Sequence, residues 1–156
     1  MKRKALHRDL LLLLLVALVI LGLPLGIQAY DRHLWSEQIP AGAKIFELTA
    51  NTNLGWVPGD IKGYQVLDLK SPDGKPYKPI LTVHRGDTVV LKLTSSDVIH
   101  GFSFKDFGIF IEDGVRPGQV KLITLKADKV GEFTFSCNII CGSQHKNMQG
   151  VLVVKA

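Results

Sequence analysis

Twenty consecutive residues without a charged side chain, Leu10 to Ala29, divide the chain into two parts. A helix of that length spans roughly 30 Å, which is the thickness of the hydrocarbon core of a bilayer. Residues 1–9 hold four basic side chains and one acidic side chain, and the positive-inside rule places such a flank in the cytoplasm. The pattern predicts a cytoplasmic flank over residues 1–9 and a single-pass anchor in the cell membrane over residues 10–30. The rest of the chain then lies on the periplasmic or extracellular side.

A cleaved signal peptide is the alternative, because it also begins with basic residues and an apolar run, and Ile27–Ala29 is a tolerable cleavage site. The run is longer than the apolar region of most signal peptides, and Ile27 is not a small residue, which favours a retained anchor. Gly22, Pro24 and Gly26 weaken a helix in the last third of the run and keep cleavage open.

The exported part, Asp31–Ala156, is long enough for one domain with its own core. Four of the 19 basic residues and one of the 14 acidic residues precede Asp31, which leaves 15 and 13 and a net charge of +2. A nearly balanced domain without a Lys/Arg run excludes nucleic acid as the expected partner. Residues 31–43 are predicted to be a linker, with Trp35 placed where an interfacial anchor is useful.

Residues 44–156 show the pattern of an all-β domain. Short runs rich in Val, Ile, Thr and Phe are separated by turn sequences such as SPDGKP, HRGD, RPGQ and ADKVG. About eight such strands predict an antiparallel sandwich or a small barrel. Residues 51–78 are the least regular segment and are interpreted as loop with one strand, YQVLDL, inside. Phe102, Phe104, Phe133 and Phe135 are expected to pack in the core or beside a site.

Both cysteines of the chain, and its only methionine after Met1, lie in the twelve residues CNIICGSQHKNM, from Cys137 to Met148. Thiolate, thioether and imidazole are soft or intermediate ligands that select copper or zinc. A mononuclear blue-copper site needs one cysteine, two histidines and a weak axial methionine. Cys141, His145 and Met148 supply most of that set, and His100, near the start of a strand, is the natural additional ligand. His84 is expected to be a surface histidine.

Cys137 is surplus to a mononuclear site. A second thiolate four residues before Cys141 could bridge two metal ions. The alternative in an oxidising compartment is a structural disulfide between the two cysteines. A bond that closes so small a loop would constrain little chain entropy, because the benefit grows with loop length.

The sequences DVIHGF, RPGQ and GEFTFSCNIICGSQHKNMQGVLVV resemble the soluble domain of cytochrome c oxidase subunit II, over about Thr82 to Lys155. With its one membrane segment, the chain is most similar to the short subunits of the B-type haem-copper oxidases. This resemblance implies a cupredoxin-like Greek-key sandwich or barrel after one transmembrane helix, and a binuclear CuA centre. Both cysteines would bridge two copper ions, and one histidine and one weak ligand would complete each ion. The implied ligands are Cys137, Cys141, His100 with Met148, and His145 with the backbone carbonyl of Ile139.

The resemblance also implies the function: an electron-transfer subunit, without a catalytic site of its own, that passes electrons from cytochrome c or a similar donor to a haem-copper oxidase catalytic subunit. Electron donation to a haem-copper nitric oxide reductase is a close variant. A copper chaperone for CuA assembly is another class, but those proteins have a thioredoxin-like fold.

Three departures from the longer subunits of this family affect the expectations. Ile139 stands where those subunits have a glutamate that binds magnesium, so no such magnesium site is expected. Trp56 is the only candidate for their tryptophan-based electron entry. An acidic docking face is not expected in a domain of net charge +2, which leaves a largely apolar contact or another donor.

Overall fold

The computed structural model describes residues 2–61, 65–66 and 69–156, and it describes the backbone alone for residues 2–6, 31–32, 34–38 and 72. The chain divides into two compact units, Met1–Pro40 and Ala41–Ala156.

The first unit is helical. Helix α1 (Lys2–Ala17) continues through a π-helical turn (Leu18–Gly22) into α2 (Leu23–Gln38). Pro24 lies just after the π-helical turn, and it has no N–H for the helical hydrogen-bond ladder. The segment His7–Tyr30 is long and apolar enough to span a membrane, with a mean hydropathy of 3.0, and none of it is buried against other residues. The helical backbone extends to Gln38, into the segment expected to be a linker, and the side chain of Trp35 lies outside the described residues.

The second unit contains nine strands in its described residues, arranged in two sheets. The strands are β1 (Lys44–Asn51), β2 (Gly55–Pro58), β3 (Ile80–His84), β4 (Thr88–Ser95), β5 (His100–Phe104), β6 (Ile109–Val115), β7 (Lys121–Lys126), β8 (Gly131–Ser136) and β9 (Gln149–Lys155). One sheet has the order β2-β1-β4-β7, and the other has the order β3-β9-β8-β5-β6. The predicted two-sheet, all-β domain after one apolar helix is confirmed.

The sheets are mixed, whereas the sequence predicted antiparallel strands. β1 pairs with β4 in parallel, and β3 pairs with β9 in parallel. The remaining pairs of named strands are antiparallel. Side chains alternate between the two faces of a strand in either direction, so the apolar alternation in the sequence carries no information about strand direction. The expectation of purely antiparallel pairing was therefore wrong at these two pairs.

The irregular segment 51–78 contains the strand β2 at Gly55–Pro58. The strand expected at YQVLDL, residues 64–69, falls partly outside the described residues.

Aromatic side chains fill the core beside the ends of β5 and β8. Phe102, Phe104 and Phe135 are fully buried, and Phe133 packs partly buried against them, as the sequence predicted. The ring centroids of Phe102 and Phe135 are 5.5 Å apart, and the ring of Trp56 meets that of Phe102 edge-on, also at 5.5 Å. Trp56 is 0 % exposed. Its ring therefore does not reach the surface, where an electron-entry residue would have to lie.

Candidate metal centre

Two neighbouring strands bring the predicted ligands to one end of the domain. His100 is the first residue of β5, and Cys137 directly follows β8. The connection from β8 to β9 carries Cys141, His145 and Met148. The backbone N–H of Cys137 donates to the carbonyl of Met148 at 3.0 Å, which closes this connection at its base. The antiparallel pairing of β8 with β9 therefore fixes the position of both ends of the ligand loop.

A local irregularity in β5 lets the strand approach the ligand loop. The register between β5 and β6 shifts between His100 and Phe102. At this point the N–H of Gly101 donates to Cys137 Sγ at 3.3 Å. A Cβ atom at Gly101 would overlap the side chain of Asn138 and lie 2.7 Å from the backbone nitrogen of Ile139. Glycine is therefore required here, because the strand and the loop are in backbone contact.

The sulfur atoms of the three sulfur-bearing residues form one cluster. Cys137 Sγ and Cys141 Sγ are 3.7 Å apart, and Cys141 Sγ lies 3.3 Å from Met148 Sδ. Cys141 Sγ is also 3.8 Å from His145 Nδ1. The thiol of Cys137 lies 3.2 Å from the carbonyl oxygen of Ile139. The predicted ligand atoms of the loop thus converge on the two thiols.

The two cysteines are free thiols in this structure. A disulfide needs a separation of about 2.05 Å between the sulfur atoms, well below the distance found here. The structural disulfide considered from the sequence is not what this arrangement contains.

His100 lies beside the two thiols, and Asp97 holds one of its ring nitrogens. The residue is 0 % exposed, and its Nε2 contacts Asp97 Oδ1 at 2.7 Å. Its Nδ1 is buried and has no hydrogen-bond partner among the described residues. One ring nitrogen of His100 and the two Sγ atoms lie within 4.8 Å of one another. A buried imidazole nitrogen without a partner, beside two thiols, is the donor set that a soft metal ion satisfies, so these residues fit such an ion.

Asp97 holds the imidazole. Its carboxylate accepts hydrogen bonds from the backbone N–H groups of Thr52 and Val98, each at 2.7 Å. Burial raises the pKa of Asp97, but the hydrogen bonds from Thr52, His100 and Val98 outweigh it and hold the pKa below its usual value. A carboxylate at Nε2 keeps the proton on that nitrogen and leaves the lone pair on Nδ1. Asp97 therefore orients the His100 ring and also holds the backbone of the turn at Thr52.

The environment separates the pKa values of the two thiols. Burial raises the pKa of Cys137, but the neighbouring His100 ring and the backbone of Ile139 and of Gly101 lower it to about 6. Burial and the negative charge of Cys137 raise the pKa of Cys141 to about 12. Burial lowers the pKa of His100, yet the contacts with Cys137 and Asp97 bring it above its usual value. Without metal the pair therefore holds one proton and one negative charge near neutral pH.

Sequence reasoning missed Thr52, which lies in the turn between β1 and β2. Its hydroxyl lies 3.3 Å from the carbonyl oxygen of Cys141, to which it donates. A Cβ atom at Gly142 would overlap the methyl group of Thr52. Nothing in the local sequence NTNLG points to a distant metal loop, because this contact depends on how the two sheets pack. His84, in contrast, lies exposed at the end of β3, as expected.

The family described as "Cytochrome C oxidase subunit II, periplasmic domain" matches residues 78–156. The chain is 40 % identical over 92 residues to "Cytochrome c oxidase subunit 2" of Thermus thermophilus; the match covers 59 % of this chain and 66 % of that protein. A second protein of that name, also from Thermus thermophilus, is again 40 % identical over 92 residues, which cover 59 % of this chain and 53 % of the relative. The chain therefore spans between half and two thirds of the length of these relatives.

The structure resembles the periplasmic domain of subunit II of cytochrome oxidase (CoxB) of Bradyrhizobium japonicum, with a TM-score of 0.52 and 25 % identity over 74 % of this chain and 86 % of that chain. The cupredoxin-like fold predicted from the sequence is thus confirmed. An apolar helix followed by such a periplasmic domain fits a single-pass membrane protein.

The family match covers β3 to β9, and with them all six predicted ligand residues. On this evidence the chain belongs to the cytochrome c oxidase subunit II family.

Proposed function

We propose that the chain is a membrane-anchored electron relay that holds two copper ions between Cys137 and Cys141. The observation that carries this proposal is the convergence of the ligand atoms: the two Sγ atoms are 3.7 Å apart, and a ring nitrogen of the buried His100 lies within 4.8 Å of both. When bound, the copper pair would take up one electron at a time and release it again.

Each copper ion would be held by the two cysteines and by two further ligands of its own. Cys137 and Cys141 would bridge the two ions. His100 and Met148 would complete the ligation of one ion, and His145 and the carbonyl of Ile139 would complete that of the other. Thiolate, imidazole and thioether groups favour copper over hard cations. The lowered pKa of Cys137 provides one thiolate near neutral pH, and metal binding would displace the proton of Cys141.

The protein surroundings suit a relay and not a substrate site. Met148 is 0 % exposed, and Phe102 and Phe135 pack in the same core cluster, so this side of the centre is dry. A rigid, dry shell limits the change in geometry between redox states and tunes the reduction potential.

The partners proposed are cytochrome c or a similar small donor, and the catalytic subunit of a haem-copper oxidase as acceptor. The names of the Thermus relatives support the oxidase. Val98, Ile99 and Ile140 are exposed apolar side chains next to ligands in the sequence, and Ile140 is 88 % exposed. They favour a largely apolar contact with a redox partner. The relatives' names favour an oxidase over a nitric oxide reductase as acceptor, and the two-sheet fold disfavours a thioredoxin-like copper chaperone.

Copper titration of the full chain in detergent tests the proposal. We expect two copper ions per chain, a purple colour and an electron-spin signal in which the unpaired electron couples to two copper nuclei. Cys137→Ser should abolish that signal, because it removes one bridging thiolate. His84→Asn is the matched control, since it changes an exposed histidine outside the site and should bind copper as the wild type does. A site of one copper ion that Cys137→Ser leaves unchanged would refute the proposal.

A second measurement tests the relay. The copper-loaded chain, mixed with reduced cytochrome c, should lose its purple colour as it takes up one electron per chain. A loaded chain that no small electron donor reduces is not a relay.

A further inference from the structure

The turn between β1 and β2 contacts both halves of the metal centre, although none of its residues is a predicted ligand. The backbone N–H of Thr52 donates to Asp97 Oδ2 at 2.7 Å, and Asp97 Oδ1 contacts His100. The hydroxyl of Thr52 donates to the carbonyl oxygen of Cys141 at 3.3 Å. Thr52 thus contacts both Asp97, which holds His100, and the backbone of Cys141 in the ligand loop.

We infer that Thr52 is a positioning residue that locks the ligand loop, at Cys141, to the strand that carries His100. This inference rests on the proposed copper site for its functional meaning. The link between these two parts of the chain rests on the contacts alone and does not depend on copper.

The turn is rigid enough for this role. Asn51 is buried, and its side-chain oxygen accepts hydrogen bonds from the backbone N–H groups of Asn53 and Leu54, each at 3.0 Å. Its side-chain nitrogen donates to the hydroxyl of Ser96 at 3.0 Å. The backbone N–H of Ser96 in turn donates to the carbonyl of Ala50 at 3.0 Å. The turn is therefore fixed to the segment between β4 and β5, immediately before His100.

The methyl group of Thr52 also fits the loop closely. Gly142 has a φ of +148°, and a Cβ atom there would overlap that methyl group. The absence of a side chain at Gly142 lets the Thr52 side chain reach the carbonyl of the preceding residue, Cys141. The close approach therefore depends on the residues of both the turn and the ligand loop.

The Thr52 hydroxyl faces two acceptors. Besides the carbonyl of Cys141, it lies near the Asp97 carboxylate, and it contributes to keeping the pKa of that carboxyl low. A hydroxyl carries a single proton and donates to one acceptor at a time. The hydroxyl links the two ligand-bearing segments when it donates to the Cys141 carbonyl, as it does in this structure, while the backbone N–H of Thr52 holds Asp97.

The test compares Thr52→Val, which keeps the shape but removes the hydroxyl, with Thr52→Ser, which keeps the hydroxyl. Thr94→Val is the matched control, because Thr94 also donates its hydroxyl to a backbone carbonyl, that of Gln119 at 2.8 Å, outside the site. Two quantities are measured on the full chain in detergent: the rate at which loaded copper passes to a chelator, and the amide hydrogen exchange of residues 138–148 in the copper-free chain.

We expect Thr52→Val to release copper roughly tenfold faster, in the range typical for loss of a group that supports a metal ligand. Its loop amides should exchange faster than those of the wild type, while Thr52→Ser and Thr94→Val behave as the wild type does. The inference is overturned if Thr52→Val matches the wild type in both quantities, or if Thr52→Ser is as impaired as Thr52→Val. If the wild-type chain takes up no copper pair, the proposed function fails, and amide exchange alone decides whether Thr52 locks the loop.

Discussion

The two histidines of the candidate metal centre lie in contrasting surroundings. His100 starts a central strand, is fully buried and has its Nε2 held by Asp97. His145 lies in a single 3-10 turn of the ligand loop and is partly exposed. Cys137 and Cys141 follow the same division, since Cys137 is buried at the end of β8 and Cys141 is partly exposed in the loop.

This contrast indicates that the site is half preformed and half completed by the loop. The strand side has its ligand oriented by the partly exposed carboxylate of Asp97, which removes freedom before any metal arrives. The loop side depends on a few backbone hydrogen bonds and on Thr52 for its position. The strand side is therefore expected to set the precision of the centre, and the loop side is expected to give metal and electron partners access.

Removal of each of these two histidines should have the largest effect on copper affinity, and rescue with imidazole should distinguish the strand side from the loop side. We expect His100→Gly and His145→Gly each to lower copper affinity by more than about 100-fold, beyond the cost of losing an outer partner. Added imidazole should restore the copper signal in His145→Gly, because that position opens to solvent, and not in His100→Gly, because that position is sealed.

His84→Gly serves as the control for these two variants, and a thermal melt of each copper-free chain checks that it folds. Rescue of both variants by imidazole, or of His100→Gly alone, would contradict the division into a sealed and an open side.

A side chain at Gly101 should have the next largest effect, because it would push the strand away from the loop. We expect Gly101→Ala to lower the free energy of unfolding by about 1–3 kcal/mol, the usual cost of overpacking, and to weaken copper binding as well. Ser103→Ala is the control on the same strand, since the buried hydroxyl of Ser103 has no hydrogen-bond partner in the described part of the chain and its loss should cost little. Denaturant unfolding of the copper-free chains measures the stability of both variants. An unaltered stability of Gly101→Ala would mean that the strand and the loop are not in the close contact described.

The smallest effect is the titration of one proton in the copper-free chain. Thiolate absorbance should rise by one group near pH 6, where the pKa of Cys137 lies, and by the second only toward pH 12. The folded pKa of Cys137 is below its ordinary value of 9.0, so the stability it contributes is fully present above pH 9 and is lost as the pH falls toward 6.

The difference in free energy of unfolding between the wild type and Cys137→Ser should accordingly grow as the pH rises from about 6 to 9. Two thiols that titrate together near pH 9 would show that the surroundings of His100 and Gly101 do not act on Cys137 as described.

The sequence predicted which side chains lie together at the candidate site better than it predicted the direction of the strands. The spacing of Cys137, Cys141, His145 and Met148 is local, so one loop brings them together whatever the order of the strands. His100 could be assigned because its DVIHGF setting is specific to a known family. The parallel pairs β1–β4 and β3–β9 could not be predicted, because alternating apolar residues look the same in either strand direction.

By itself, the sequence determined that an uncharged helix precedes an all-β domain and that soft ligands cluster near the end of the chain, because hydropathy and ligand chemistry are properties of the residues themselves. Only the tertiary structure decided that Asp97 holds Nε2 of His100, that Trp56 is buried, and that Thr52 reaches Cys141 from 89 positions away. The contact of Thr52 with Cys141 joins residues that are far apart in the chain, and it follows from how the strands pair and how the two sheets pack. Asp97 and His100 are only three positions apart, but the directions of their side chains depend on the same packing, which no local pattern encodes.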